Sequence, residues 1–198
     1  MGEPVKKADH KFTYSEYRLW PEDERWEMID GIAYNMSPAP SAKHQEISFE
    51  IARVIGNFLK NKSCRAFSAP FDVYIPEPPD QDLNEITTIV QPDLSVICNS
   101  EKIFDKGCMG APDLIVEILS PSTSARDLNE KFHLYEKSGV KEYWVIDPGN
   151  EYVRIFQLIE GKYDYGFLIP SDDIADKNII AASIVFPGFQ INIKQLFS

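Results

Sequence analysis

Asp113-Leu114-Ile115-Val116-Glu117-Ile118-Leu119 and, twenty-odd residues on, Glu142-Tyr143-Trp144-Val145-Ile146-Asp147 are two short apolar runs with a helical stretch between them. The first is almost continuously apolar and is broken by Glu117, the pattern of a strand covered on both faces. Ser122, Thr123 or Ser124 can cap a helix running through Lys137, and Gly139 supplies its stop. Strand, helix and strand make a βαβ unit, which predicts parallel strands joined by a right-handed crossover.

Outward from this unit, Asp93 to Ile97 reads as a strand directly after Pro92. Ser41 caps a predicted helix to about Lys60, whose apolar residues Ile47, Ile51, Val54, Ile55, Phe58 and Leu59 share one face, with His44 on that same face. Trp26 to Ile29 and Ile32 to Met36 flank Asp30-Gly31, a hairpin turn pair. Arg65 to Ile75 has strand character, and Pro76 to Glu85 reads as a solvated loop. After Asp147, two strands are expected, Tyr152 to Ile159 and Tyr163 to Ile169, and the segment from Ile184 to Phe197 is expected to pack back on the core. Residues 1–12 read as a flexible tail and 13–198 as a single domain, because no internal repeat or linker interrupts them.

Three charged residues fall at positions where a core should be apolar. A lone carboxylate such as Glu117 is costly unless paired or bound to a metal. Lys131 lies three residues after Leu128 and four before Tyr135, in the helical row that should face the sheet, and Asp93 opens its strand. Taken singly, these are a buried ion pair and a strand-start acid. Together they form an oxygen-rich site for a hard divalent ion with a cation beside it, suited to phosphodiester cleavage.

The same residues resemble a known family. Pro92-Asp93 followed by Glu117-Ile118-Leu119 at a strand end is similar to the PD-(D/E)XK nuclease superfamily, and Ala111 through Thr123 is similar to the Uma-type restriction endonucleases. The resemblance extends to Trp26 through Gly31, Met36-Ser37-Pro38 with His44 following, Ala69 through Val73, and Tyr135 through Asp147. It implies an α/β fold with a restriction-endonuclease-like αβββαβ core, an added N-terminal hairpin and C-terminal antiparallel strands. It also implies Asp93 and Glu117 as ligands of Mg2+ or Mn2+, with DNA as substrate. The superfamily's lysine stands two residues after the second acid; here that residue is Leu119, so the role passes to Lys131. Glu27 matches an N-terminal acid of the family and binds metal or is an exposed hairpin residue. His44 is a packing residue or contacts phosphate or water.

Composition bounds the partners. Thirty-one acids against twenty bases give a net charge of −11, which opposes sequence-independent attraction to a phosphate backbone, so any nucleic-acid surface must be local. Lys43, Arg53, Lys60, Lys62, Arg65, Arg126 and Lys137 are the candidates. Cys64, Cys98 and Cys108 lack zinc spacing and read as reduced; with no membrane span or signal segment apparent, the cytoplasm is the expected compartment. Apolar Tyr152, Ile155, Tyr163 and Phe167 near the C-terminal strands suggest a homodimer.

Overall fold

The computed structural model describes residues 10–21, 23–36, 39–171 and 179–198. Residues 1–9 of the predicted tail and Ser37-Pro38 lie outside the described residues. Residues 10–12, grouped with that tail from sequence, are tied down: the Phe12 N–H donates to the Gly31 carbonyl at 2.9 Å.

In chain order the elements are α1 (Tyr14–Tyr17), β1 (Trp26–Ile29), β2 (Ile32–Asn35), α2 (Ala42–Leu59), β3 (Arg65–Ser68), β4 (Asp72–Tyr74), β5 (Ile89–Val90) and β6 (Leu94–Ile97). There follow β7 (Ile103–Phe104), β8 (Gly107–Met109), β9 (Leu114–Ile118), α3 (Ser124–Leu128), α4 (Glu130–Ser138) and β10 (Glu142–Asp147). The chain continues through β11 (Tyr152–Ile159), β12 (Lys162–Tyr163), β13 (Phe167–Pro170), β14 (Ile180–Ala182), β15 (Gln190–Asn192) and α5 (Ile193–Phe197). The main sheet runs β12-β11-β10-β9-β6-β3, with β13 also paired to β11, and a second sheet runs β2-β1-β5-β4-β8-β7. Within the main sheet β9 and β10 are parallel, while β3, β6 and β9 pair antiparallel. The succession α2-β3-β6-β9-α3/α4-β10 is therefore the predicted αβββαβ core.

Period-2 alternation along β9 places its residues in two cores. Leu114, Val116 and Ile118 pack with Ile47, Ile51, Ile55 and Leu59 of α2. Ile115 and Leu119 pack on the other face with Tyr135 of α4 and with Tyr143 and Val145. Each fully buried aliphatic side chain contributes roughly 1.5–3 kcal/mol, so α2 is held by its apolar row rather than by propensity. Its start is fixed where the sequence predicts, by the Ser41 hydroxyl accepting from the His44 N–H at 3.2 Å. Asp30 and Gly31 take positive φ of 50° and 79°, as the tight β1–β2 turn requires.

Several expectations are corrected. The strand expected over 65–75 is two, β3 and β4, in different sheets; Pro70 interrupts the ladder because it has no N–H to donate. The helix after β9 breaks at Asn129 (φ −122°, ψ −79°) into α3 and α4. The strand expected over 163–169 is likewise two segments, both paired to β11. Cys64 and Cys98 are disulfide-bonded rather than reduced, because the Arg65–Ile97 pairing sets them on facing strand ends; Cys108 is free and buried. Of the residues proposed as an exposed apolar patch, Ile155 and Tyr163 are buried in the core, while Phe167 is 60% exposed beside Leu168 at 55%. Among the described residues no helix is long and apolar enough to cross a membrane.

Candidate active site

Antiparallel pairing of Leu94 with Val116 means that one step further back along the register, Asp93 falls opposite Glu117. The two predicted acids thus stand opposite each other just before the start of β6. Asp93 Oδ2 accepts from the Ile118 N–H at 2.7 Å and lies 3.4 Å from His44 Nε2, which reaches it from the first turn of α2. These two side chains are the more open part of the cluster, 22% and 12% exposed, whereas the rest is closed off from solvent.

Glu117 is 3% exposed. Its Oε1 accepts from the Tyr135 hydroxyl at 2.7 Å and from Lys131 Nζ at 2.9 Å. Lys131 and Tyr135 are four apart on α4, on the face turned to the sheet; Leu128, expected in the same row, lies instead on α3 and is 38% exposed, because the helix breaks at Asn129. Lys131 Nζ also lies 2.8 Å from Glu27 Oε1. Glu27 is not an exposed hairpin residue: β5 pairs with the other edge of β1, and Glu27 is 1% exposed, accepting from the Gln91 N–H at 2.9 Å. All five sequence-predicted residues, Asp93, Glu117, Lys131, Glu27 and His44, are therefore brought into one cluster.

Two further charged residues belong to it. Arg126, a candidate surface base from sequence, is only 7% exposed; its guanidinium stacks 4.4 Å over the Tyr34 ring and lies 3.4 Å from Glu27 Oε2. Burial follows from α3 being folded against the β1–β2 hairpin. Asp127, 2% exposed, has Oδ1 at 3.6 Å from Lys131 Nζ, within ion-pair reach but too far for a hydrogen bond, and that oxygen has no hydrogen-bond partner. The spacing of Asp127 four residues before Lys131 was visible in the sequence, but no apolar row singled it out. His133 lies outside the cluster, its ring against Phe132.

Four buried or half-buried carboxylates (Glu27, Asp93, Glu117, Asp127) thus face two permanent cations, Lys131 and Arg126. The imbalance moves the titrations. Burial pushes the Glu117 carboxyl well above its ordinary range, against the pull of Lys131, and the charges of Asp127, Asp93 and Glu27 add to the rise. Burial likewise lifts Asp127 to about 6. For Lys131, burial works against the charged form, but Glu117, Glu27 and Asp127 outweigh it, and the ammonium stays protonated. For His44, burial opposes protonation, while the hydrogen bond and charge of Asp93 overcome it and raise the pKa.

Adjacent carboxylates in a site with surplus negative charge suit a small, hard cation that keeps several of its own waters, such as Mg2+ or Mn2+. Among the described residues no group of three or more His, Cys, Asp or Glu could hold a metal. The chain's own donors to such an ion would be Asp93 and Glu117, and their oxygen chemistry fits it.

The fold is that of a restriction-endonuclease-like α/β protein. The chain belongs to the Uma2 family, whose profile, described as "putative restriction endonuclease", matches residues 14–194. It is similar to two uncharacterized proteins of Synechocystis sp. strain PCC 6803. The first, slr1290, is 31% identical over 127 residues, 63% of this chain and 62% of that protein. The second, sll1609, is 28% identical over 152 residues, 74% of this chain and 81% of that protein. A crystal structure described as "a putative nuclease belonging to DUF820" from Anabaena variabilis superimposes with a TM-score of 0.74, at 22% identity, over 94% of this chain and 97% of that one. That likeness carries the fold.

Proposed function

We propose that the chain is a divalent-metal-dependent endonuclease that hydrolyses phosphodiester bonds in DNA, with Asp93 and Glu117 as the metal-binding carboxylates. The observation that carries this reading is the meeting of Asp93, Glu117 and Lys131 in one cluster, with Lys131 arriving from α4 where the chain has Leu119 in the superfamily's lysine position. A bound Mg2+ or Mn2+ would supply Lewis acidity and lower the pKa of a coordinated water. The protonated Lys131 adds a fixed positive charge that stabilises the anionic transition state. Tyr135 and Ile118 N–H hold the two carboxylates in place, Glu27 fixes Lys131, and His44 orients Asp93 from the open side of the cluster.

The substrate would approach from the side of Asp93 and His44. Homodimerisation and a cytoplasmic location belong to the same proposal; the exposed Phe167 and Leu168 on β13 support the former, and sedimentation showing only monomer at micromolar concentration counts against it. A second reading, a catalytically idle interaction module, is favoured by one observation: several candidate basic residues are already engaged within the chain. Arg53 pairs with Glu50 and Lys137 with Glu77, both at 2.6 Å, Lys43 bonds the Phe197 carbonyl, and Arg126 is buried. Calorimetry with Mg2+ and Mn2+, beside cleavage of a panel of single- and double-stranded DNA and RNA, tests the two. The nuclease reading expects metal binding and metal-dependent DNA cleavage; no binding of either ion leaves the module.

A further inference from the structure

Asp127 Oδ1 is the one oxygen of this cluster that is deeply buried, aimed at Lys131 and without a hydrogen bond. A structural carboxylate of this kind would be expected to take the available donor, because leaving a buried acceptor unsatisfied costs about 1–3 kcal/mol. The donor is there, 3.6 Å away, yet its hydrogen bonds go to Glu27 and Glu117. The Asp127 backbone is otherwise well fixed: its N–H donates to the Thr123 carbonyl at 3.0 Å, and its carbonyl accepts from the Tyr143 hydroxyl at 3.0 Å. A fixed, vacant acceptor four residues from the lysine marks a second seat for the ammonium.

We infer that Asp127 is a positioning residue that receives Lys131 when a divalent cation occupies the Asp93 and Glu117 carboxylates. The inference rests on the metal-dependent reading above. In the metal-free cluster Lys131 neutralises Glu117 and so stands in for part of the missing positive charge. Added charge at Asp93 and Glu117 repels the ammonium, and its bond to Glu117 loses value. Lys131 keeps Glu27 as its pivot, 2.8 Å away, and closes the 3.6 Å gap to Asp127. The shift needs only side-chain rotation, because the break at Asn129 lets α3 hold Asp127 beside the first turn of α4. Without this seat the ammonium would stay on Glu117 and compete with the cation.

The test uses the full chain, Mg2+ and the Asp127→Asn variant. Calorimetry should show Mg2+ bound about 10–100-fold more weakly by the variant than by wild type, the range for loss of a residue that supports metal ligands. In wild type the nitrogen-15 signal of the buried Lys131 ammonium should move during the Mg2+ titration, and in the variant it should not follow. Equal Mg2+ affinity in the two proteins overturns the inference while leaving the metal site standing. Wild type that binds no Mg2+ overturns the metal-dependent reading and this inference with it. Should Asp127→Asn fail to fold, the wild-type titration alone decides: an ammonium signal unmoved at Mg2+ saturation rejects the second seat.

Discussion

Replacing Asp127 by Asn in the metal-free protein removes a buried charge while keeping the shape of the side chain. Burial raises the Asp127 pKa from its ordinary 3.8 to about 6, so the folded state holds this proton more tightly than the unfolded chain does. The contribution to stability is therefore fully present below 3.8 and is lost as pH rises to about 6. Above that the ionised carboxylate is a constant liability of about 3 kcal/mol, from ~1.36 kcal/mol for each pKa unit. Asn does not titrate, so the variant should match wild type near pH 4 and exceed it at pH 8, by roughly 6–12 °C in Tm if the whole effect is realised. Thermal melts at the two pH values check this. A variant that melts below wild type at pH 8, or gains equally at both pH values, refutes the reasoning.

Lys131→Met leaves Glu27 and Glu117 without their shared ammonium and should destabilise the fold by roughly 3–5 kcal/mol in urea titrations, the range for breaking a buried ion pair from one side. His44→Gln should change the pH dependence of stability: the His44 pKa is raised, so its favourable contribution is present below 6.5 and disappears as pH climbs through the raised value. Urea titrations at pH 6 and pH 8.5 should accordingly show a wild-type advantage only at the lower pH. Glu142, fully buried on β10, accepts from the Ser183 hydroxyl and from the Ile184 and Val185 N–H groups, and from the Trp144 indole. Glu142→Gln removes acceptor capacity there and should cost roughly 2–4 kcal/mol, with hydrogen exchange accelerating first over residues 179–197.

What could be read in advance was what short-range pattern encodes. The apolar run at 114–118, the Gly139 stop and the 142–147 run gave the βαβ unit, and the four-residue spacing of Lys131 and Tyr135 turned Lys131 towards Glu117, although Leu128, placed in the same row, is exposed on α3. Asp30-Gly31 and Ser41 carried the hairpin and the start of α2. What escaped depends on contacts between distant segments. Glu27 is buried because β5, sixty residues later, brings the Gln91 N–H to its carboxylate, and α3 and α4 bring Arg126 and Lys131. Cys64 meets Cys98 only through the β3–β6 register. Arg126 was hidden because on a helix drawn unbroken from 124 to 137 it sits about 100° round from Asp127; Asp127 stands in the row of Lys131, four residues before it, but has no apolar neighbour there to mark a core face. Glu142 looks like an ordinary strand-start acid until the C-terminal segment folds over it.

Cleavage of plasmid DNA in Mg2+ by wild type beside Glu117→Gln bears most directly on the central claim. Gln can still accept from Tyr135 and Lys131, so the fold is kept while one of the two carboxylates proposed to bind metal is lost. The account predicts Mg2+-dependent nicking or linearisation by wild type, abolished by chelation, and a rate lower by on the order of 10²-fold or more in the variant, whose melting temperature equals or exceeds that of wild type. Equal cleavage by the two proteins, or none by wild type in either Mg2+ or Mn2+, would contradict it.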